Sequence, residues 1–205
     1  MSQPHSGTVY IVDDDDAVRD SLQWLLEADP TYKVQTFASA EAFLARYNND
    51  PVGCLILDVR MPGMSGLELQ EQLNNRGSTL PIIFITGHGD VPMAVSTMKK
   101  GAVDFIEKPF NEAELRRIVE NMLDLARNRQ QKDATKQQQE ALLSRLTARE
   151  NQVLERIVAG RLNKQIADDL NISIKTVEAH RANIMDKLSV TTVADLMKIV
   201  LSKSA

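Results

Sequence analysis

The stretch Gly53-Cys54-Leu55-Ile56-Leu57-Asp58-Val59-Arg60-Met61-Pro62-Gly63-Met64-Ser65-Gly66 decides the fold. An apolar run ends in one carboxylate, Asp58, and a proline and two glycines then stop the run. A short apolar run bounded by turn residues predicts a buried strand of a parallel sheet. Asp58 is expected at the carboxyl end of that strand, where open α/β sheets bind ligands. Taken alone, an Asp here is equally typical of a residue that caps the turn.

Four more apolar runs predict strands, and helical patterns separate them. The predicted strands are 8–12, 33–37, 81–86 and 103–106, and the helices begin after the acids at 15–16 and at 39, 65, 91 and 111. Ser65 and Asn111 are each followed three residues later by Glu, the pattern of an N-terminal helix cap. This alternation predicts an α/β fold, a flavodoxin-like doubly wound five-stranded parallel sheet.

Acidic side chains are concentrated after the first strand, in the run Asp13–Asp16. In the strand order 2-1-3-4-5, strands 1 and 3 are neighbours, so their carboxyl ends form one site with side chains from strands 4 and 5. The residues expected there are Asp13, Asp14, Asp58, Thr86 and Lys108. Clustered carboxylates repel one another, and a hard cation such as Mg²⁺ relieves this repulsion. The site is therefore suited to phosphoryl transfer, with Asp58 as the candidate nucleophile.

Four motifs resemble the receiver domain of bacterial response regulators. They are V-D-D at 12–14, L-D-V-R-M-P-G-M-S-G at 57–66, I-T-G-H at 85–88 and E-K-P-F at 107–110. The resemblance implies that Asp58 is the phosphoacceptor, Thr86 the switch hydroxyl, Phe105 the switch aromatic and Lys108 the phosphate-binding lysine. It also implies a site for Mg²⁺ or Mn²⁺ formed by Asp13, Asp14, Asp58 and the backbone carbonyl of Arg60. For Phe105 alone, a plain core aromatic is an equal alternative.

Two further sets of receiver residues follow from the same resemblance. Arg60 and His88 each lie two residues beyond a site residue, and such positions influence how water reaches the acyl phosphate, so both are expected to tune its lifetime. The surface that forms a dimer on phosphorylation is expected around Val91, Val95, Lys99 and Asp104.

The charge distribution divides the chain into three parts. Residues 1–122, the predicted receiver, carry 10 Lys and Arg against 18 Asp and Glu. Residues 123–142 are almost free of apolar side chains beyond 126 and rich in helix formers, so this linker is either a prolonged helix or disordered. Residues 143–205 carry 10 basic against 7 acidic residues, a weak indication of an anionic partner.

The last part predicts a small all-α domain of four helices with no strand candidate. Thr147-Ala148-Arg149-Glu150 has the form of a capping box, and Asn163 begins a short helix. The turn Asn171-Ile172-Ser173 leads into a longer helix, 174–188, expected to bury Ile174, Val177, Ile184 and Leu188. Two short helices joined by a three-residue turn are typical of a DNA-binding helix-turn-helix.

The longer helix is expected to contact DNA with the face opposite its apolar stripe. Small alanines on that face permit close approach to base edges, and Glu178 can accept a hydrogen bond from a cytosine amino group. The candidate DNA contacts are Lys164, Lys175, Thr176, Glu178, Ala179, Arg181, Ala182 and Lys187. Each charge taken singly is as typical of a solvated surface, and His180 is expected to be a packed helix residue.

The run L-T-A-R-E-N-Q-V-L at 146–154, with N-K-Q-I-A-D-D-L and S-I-K-T-V-E-A-H-R after it, resembles the DNA-binding domain of LuxR- and NarL-type regulators. Together with G-H-G-D-V-P-M-A-V at 87–95, it makes the whole chain similar to the FixJ subfamily. This implies a sensor histidine kinase, double-stranded operator DNA and RNA polymerase as partners, and a homodimer when phosphorylated. One cysteine and no membrane-length apolar run predict a cytoplasmic protein.

Two other classes of protein compete with a phosphorylated transcription factor. A phosphatase with an aspartyl-phosphate intermediate commonly has a second acid two residues after the nucleophile, where this chain has Arg60. An adaptor would use the terminal helices to bind a protein instead of DNA. The phosphatase alternative leaves the helix-turn-helix unexplained, whereas DNA binding in a gel-shift experiment would distinguish a transcription factor from an adaptor.

Overall fold

The computed structural model describes residues 7–50, 52–87 and 104–201 of the 205-residue chain. The helix expected at 91–100 lies outside these ranges, as do His88, Val91, Val95 and Lys99. The chain divides into two compact units, 1–130 and 131–205. Within the described ranges, no helix is both long and apolar enough to cross a membrane.

The first unit is built on a five-stranded parallel sheet in the order β2-β1-β3-β4-β5, which confirms the predicted flavodoxin-like topology. The strands are β1 Gly7–Val12, β2 Tyr32–Phe37, β3 Gly53–Asp58, β4 Ile82–Thr86 and β5 Asp104–Glu107. Every residue of β1, β3 and β4 is buried. Strands of a parallel sheet that are covered on both faces read as continuous apolar runs, which is why these three were recognisable.

Helices cover both faces of this sheet. They are α1 Asp16–Glu27, α2 Ala40–Arg46, α3 Gly66–Asn75 and α4 Glu112–Leu143. One apolar cluster joins the sheet to α1 and α4, and the other joins it to α2 and α3. Alternate residues of β1 supply the two clusters, Val9 and Ile11 to the first and Tyr10 and Val12 to the second.

Side chains cap the N-termini of α1 and α3, the helices that follow β1 and β3. The Asp15 carboxylate accepts a hydrogen bond from the Ala17 amide at 2.9 Å and so caps α1. Ser65 and Glu68 form the predicted capping box of α3. These caps satisfy backbone amides that the first turn of a helix leaves without partners.

The segment 123–142, for which the sequence left helix and disorder open, lies inside α4. The first half of α4 contributes six buried apolar side chains to the first unit, ending at Ala126. Arg129 donates to the backbone carbonyl of Thr79 at 2.8 Å. Beyond these contacts the helix is polar and mostly exposed.

The second unit contains α5 Ala148–Val158, α6 Asn163–Leu170, α7 Ile174–Lys187 and α8 Val193–Leu201. One apolar cluster joins the four helices. Asn171 ends α6 in the left-handed conformation, with φ 55°, and Ser173 caps α7. The expectation that Ile174 is buried is wrong, because this side chain is 45% exposed. Side chains on a helix lean toward its N-terminus, so the first residue of α7 points beyond the packed turns.

Candidate functional site

Two buried carboxylates lie at the carboxyl end of the sheet. Asp13 directly follows β1, and Asp58 is the last residue of the adjacent strand β3. Their exposed fractions are only 2% and 8%. The ammonium nitrogen of Lys108 contacts both, at 2.8 Å from Asp13 Oδ2 and 3.1 Å from Asp58 Oδ1. One lysine from the loop after β5 therefore joins the ends of strands 1 and 3.

The remaining carboxylate oxygens are held by the backbone. Asp13 Oδ1 accepts from the Asp15 amide, and Asp58 Oδ2 accepts from the Arg60 amide, both at 2.9 Å. The Lys108 amide in turn donates to the Thr86 carbonyl at 2.8 Å. Each carboxylate thus has one oxygen on Lys108 and one on a loop amide, which fixes its orientation.

Burial dominates the protonation of Asp58. It raises the pKa of the Asp58 carboxyl, and the attraction of the Lys108 ammonium offsets this effect only in part. For Lys108, burial alone lowers the pKa, but hydrogen bonds and attraction from Asp13 and Asp58 outweigh it, so the net pKa is raised. An ammonium between two carboxylates keeps the cluster paired in a region largely removed from water.

The other predicted residues of the first unit lie at different depths. Thr86, the last residue of β4, is buried, whereas Asp14 and Arg60 are exposed. Phe105 is half-buried against the apolar cluster under α2 and α3. Asp104 is half-buried, and its carboxylate accepts from the Phe105 amide at 2.9 Å.

The donor set fits a magnesium ion. Among the described residues, no group of three or more His, Cys, Asp or Glu could by itself hold a metal ion. Mg²⁺, however, usually takes one or two carboxylates together with water and phosphate oxygens. Asp13 and Asp58 already share the Lys108 ammonium, so one cation is able to contact both.

Two residues that support the site were missed in the sequence. Gly66, the first residue of α3, lies so close to β3 that a Cβ there would be 2.2 Å from the Asp58 carbonyl oxygen. Glu41 of α2 accepts a hydrogen bond from the Met64 amide at 3.0 Å and so holds the loop that joins β3 to α3. In the sequence, Gly66 was interpreted only as a turn residue. Nothing in the sequence around Glu41 indicates that this side chain contacts the Met64 amide.

A second candidate site lies on α7. Most of the predicted DNA contacts are exposed, namely Lys164, Lys175, Thr176, Glu178, Ala179 and Ala182, while Arg181 and Lys187 are half-buried. Asn183, which the sequence argument did not select, is exposed on the same helix. The Lys187 ammonium lies 2.7 Å from the buried Glu150 carboxylate. The exposed residues of α7 form a small-residue and polar face suited to base edges.

Both units match known families. Residues 9–120 match the family described as the response regulator receiver domain, and residues 144–200 match the bacterial regulatory proteins of the luxR family. Among the three hypotheses from the sequence, a transcriptional regulator is the one that these two families favour.

The similarity to known proteins extends over nearly the whole chain. The response regulator protein TodT of Pseudomonas putida is 45% identical over 95% of this chain and 85% of its own length. The transcriptional regulatory protein FixJ of Rhizobium meliloti is 46% identical over 95% of each chain. The solved structure of the response regulator StyR has a TM-score of 0.87 and 48% identity, covering 95% of this chain and 98% of that one. The chain therefore belongs to the response regulators that combine a receiver domain with a LuxR-type DNA-binding domain, and it is a homologue of the FixJ and TodT transcriptional regulators.

Proposed function

We propose that this regulator is switched by phosphorylation of Asp58. The observation that carries the proposal is the geometry of that carboxylate at the end of the central strand, with one oxygen on Lys108 and the other on the Arg60 amide. A fixed, partly dehydrated carboxylate is a competent nucleophile toward phosphorus. Asp13 beside it supplies a second carboxylate and Lys108 a cation.

In the reaction, an oxygen of Asp58 attacks the phosphorus of the donor. The bond from phosphorus to the donor breaks, its electron pair leaves with the donor, and Asp58 becomes an acyl phosphate. In the cell the donor is a phosphohistidine of a sensor histidine kinase, and in vitro a small acyl phosphate replaces it. Lys108 then pairs with an oxygen of the transferred group. Asp13, Asp14, Asp58 and the Arg60 carbonyl would hold Mg²⁺ or Mn²⁺, which when bound would offset the negative charges that meet there.

The phosphorylated state ends when water hydrolyses the acyl phosphate in the same site. The side chain of Arg60 is exposed next to Asp58, where it can influence the approach of water. We assign the same role to His88, two residues beyond Thr86. The protein acts on no separate substrate in this scheme.

The switch connects the site to a dimer surface. A phosphoryl group on Asp58 attracts the Thr86 hydroxyl and Lys108, and the movement of Thr86 makes room for Phe105 to turn inward. Phe105 is only half-buried beforehand, which supports this step. The surface that changes is the one around Val91, Val95, Lys99 and Asp104, and two copies of the chain associate through it.

A dimer presents two copies of α7 to paired half-sites in operator DNA. Two linked sites bind far more tightly than one, so dimerisation raises the affinity for the operator. Lys164 and Lys175 contact phosphates, and the exposed face with Glu178, Ala179 and Ala182 reads base edges. The bound dimer then acts on RNA polymerase.

Labelling with radioactive acetyl phosphate tests the chemical step. Wild type is expected to take up label only when Mg²⁺ or Mn²⁺ is present, and Asp58→Asn is expected to take up none. Asp20→Asn, an exposed acid on α1, is the matched control and keeps full labelling. Undiminished label in Asp58→Asn would refute the assignment of the phosphoacceptor.

Sedimentation with and without beryllofluoride, which mimics the phosphoryl group, tests the switch. The monomer is expected to dimerise with beryllofluoride, and Thr86→Ala and Val95→Asp are expected to stay monomeric. Lys33→Asp, on the opposite edge strand β2, is the control for an added acidic charge. A dimer that forms without beryllofluoride and tolerates Val95→Asp would exclude this surface.

A further inference from the structure

Among the residues of the second unit that the structure describes, one charged residue is nearly buried: Glu150, which is 3% exposed. It lies in the first turn of α5, where its Oε2 accepts from the Thr147 amide at 2.7 Å. The same oxygen accepts from the Lys187 ammonium at 2.7 Å. These hydrogen bonds lower the pKa of Glu150 to about 2, and the one from Lys187 has the largest effect. The carboxylate is thus charged, dehydrated and dependent on its partners.

Lys187 is the last residue of α7, the helix that carries the exposed DNA-reading face. The residue after it, Leu188, ends the helix and is buried in the apolar cluster. The pair with Glu150 therefore connects the start of α5 with the end of α7, across 37 residues of sequence.

The neighbour of Glu150 makes the corresponding contact to the other helix of the motif. Arg149 donates to the backbone carbonyl of Leu170, the last residue of α6, at 2.5 Å. Consecutive residues of α5 thus hold the ends of both helices of the helix-turn-helix. Such contacts set the angle between α7 and the rest of the unit, which decides where its side chains meet the bases.

The alternative role of Lys187 is a contact with a DNA phosphate. That contact would draw the ammonium away from Glu150 and leave a dehydrated carboxylate without its cation. Glu150 is only 3% exposed, so removal of the ammonium would leave this carboxylate poorly solvated, whereas one exposed phosphate contact contributes little. The lysine therefore stays on Glu150 when DNA binds.

We propose that Glu150 is a positioning residue for DNA recognition, which acts by holding Lys187 and hence α7, and that Lys187 serves this pair instead of a phosphate. The proposal rests on DNA binding by the second unit. It gives Lys187 a positioning role, whereas Lys164, which is exposed at the start of α6, contacts a phosphate. The two lysines should respond differently to salt and to DNA sequence.

The experiment compares full-length Lys187→Met and Lys164→Ala in binding to two duplexes. One is a duplex enriched by the wild-type protein from a random pool, and the other has the same composition in scrambled order. Lys187→Met is expected to lower the ratio of the two affinities at least tenfold and to leave the salt dependence of binding to the scrambled duplex unchanged. Lys164→Ala is expected to weaken both duplexes equally and to lower the salt slope by about one unit.

Two further variants separate positioning from loss of stability. Leu196→Ala removes a buried side chain of α8 and is measured at a temperature where it is fully folded; the affinity ratio should stay as in wild type. Glu150→Gln retains an acceptor for Thr147 and Lys187 but loses the charge, and it is expected to lower the affinity ratio at least threefold. This variant tests the proposal if Lys187→Met fails to fold. A salt slope reduced by one unit in Lys187→Met, an unchanged ratio in the Glu150 and Lys187 variants, or an equal fall in Leu196→Ala would each overturn the proposal.

Discussion

Replacing Gly66 by Ala is expected to disturb the phosphorylation site without touching any of its side chains. Gly66 begins α3, and its amide donates to the Val59 carbonyl at 3.1 Å. An added Cβ would lie 2.2 Å from the carbonyl oxygen of Asp58, whereas real Cβ contacts essentially never fall below 3.0 Å. The oxygen belongs to the backbone and the position of a Cβ is fixed by its own backbone, so no side-chain rotation relieves the clash.

The size of the effect follows from this overlap. Either the end of β3 or the start of α3 must move by about 1 Å to restore ordinary contact. Overpacking of this kind costs about 1–3 kcal/mol of unfolding free energy. A shift of about 1 Å at a positioned group can cost about a hundredfold in rate. We therefore expect phosphorylation of Gly66→Ala by acetyl phosphate to be 10 to 100 times slower, roughly, than in wild type.

The assay follows incorporation of phosphoryl label over time at saturating Mg²⁺, and urea unfolding gives the stability of each variant. Gly77→Ala is the matched control: its φ is +69°, and apart from its own chain neighbours no described residue lies within 4 Å of the added Cβ. This control loses about 1–2 kcal/mol because Ala is strained in the left-handed region, yet it should be phosphorylated at the wild-type rate. A wild-type phosphorylation rate in Gly66→Ala would show that close packing against the Asp58 carbonyl is not needed to position the phosphorylation site.

Three other predictions concern acid, DNA and metal. Folding lowers the pKa of Glu150 from 4.5 to about 2, so its contribution of about 2–3 kcal/mol to the free energy of unfolding is complete above pH 4.5 and disappears as the pH falls toward 2. The difference in urea stability between wild type and Glu150→Gln should shrink as the pH falls across that window. A difference that stays constant would contradict the ion pair. Glu178→Ala should change the preferred DNA sequence in a selection from random duplexes, whereas Lys164→Ala should preserve the preference and weaken all sequences alike; a uniform loss for both would remove Glu178 from the base-reading face. Chelation of divalent cations with EDTA should abolish labelling of Asp58 by acetyl phosphate and leave the urea midpoint within error; labelling that persists would exclude a required metal.

The relation between sequence and fold differs between the two units. In the first, three strands are buried on both faces and therefore appear as apolar runs, so their positions and parallel direction followed from the sequence. The strand order was expected from the flavodoxin-like class, and the structure confirms it. In the second, helix starts were recognisable from Thr147 and Ser173, whose side chains cap α5 and α7. The burial of Ile174 was predicted wrongly, because periodicity locates a face of a helix but not where the packed part of that face begins.

The sequence by itself determined the class of this protein: the alternating strands and helices, the carboxylates at strand ends, and the two sets of motifs whose families both match. These are local patterns, set by strand burial, helix capping and the chemistry that each residue type can perform. The sequence placed Asp13, Asp58 and Lys108 in one site, but only the tertiary structure decided that the Lys108 ammonium contacts both carboxylates and that Lys187 pairs with Glu150. Contacts across dozens of residues depend on how helices and strands pack, and an exposed and a paired lysine look identical in a sequence.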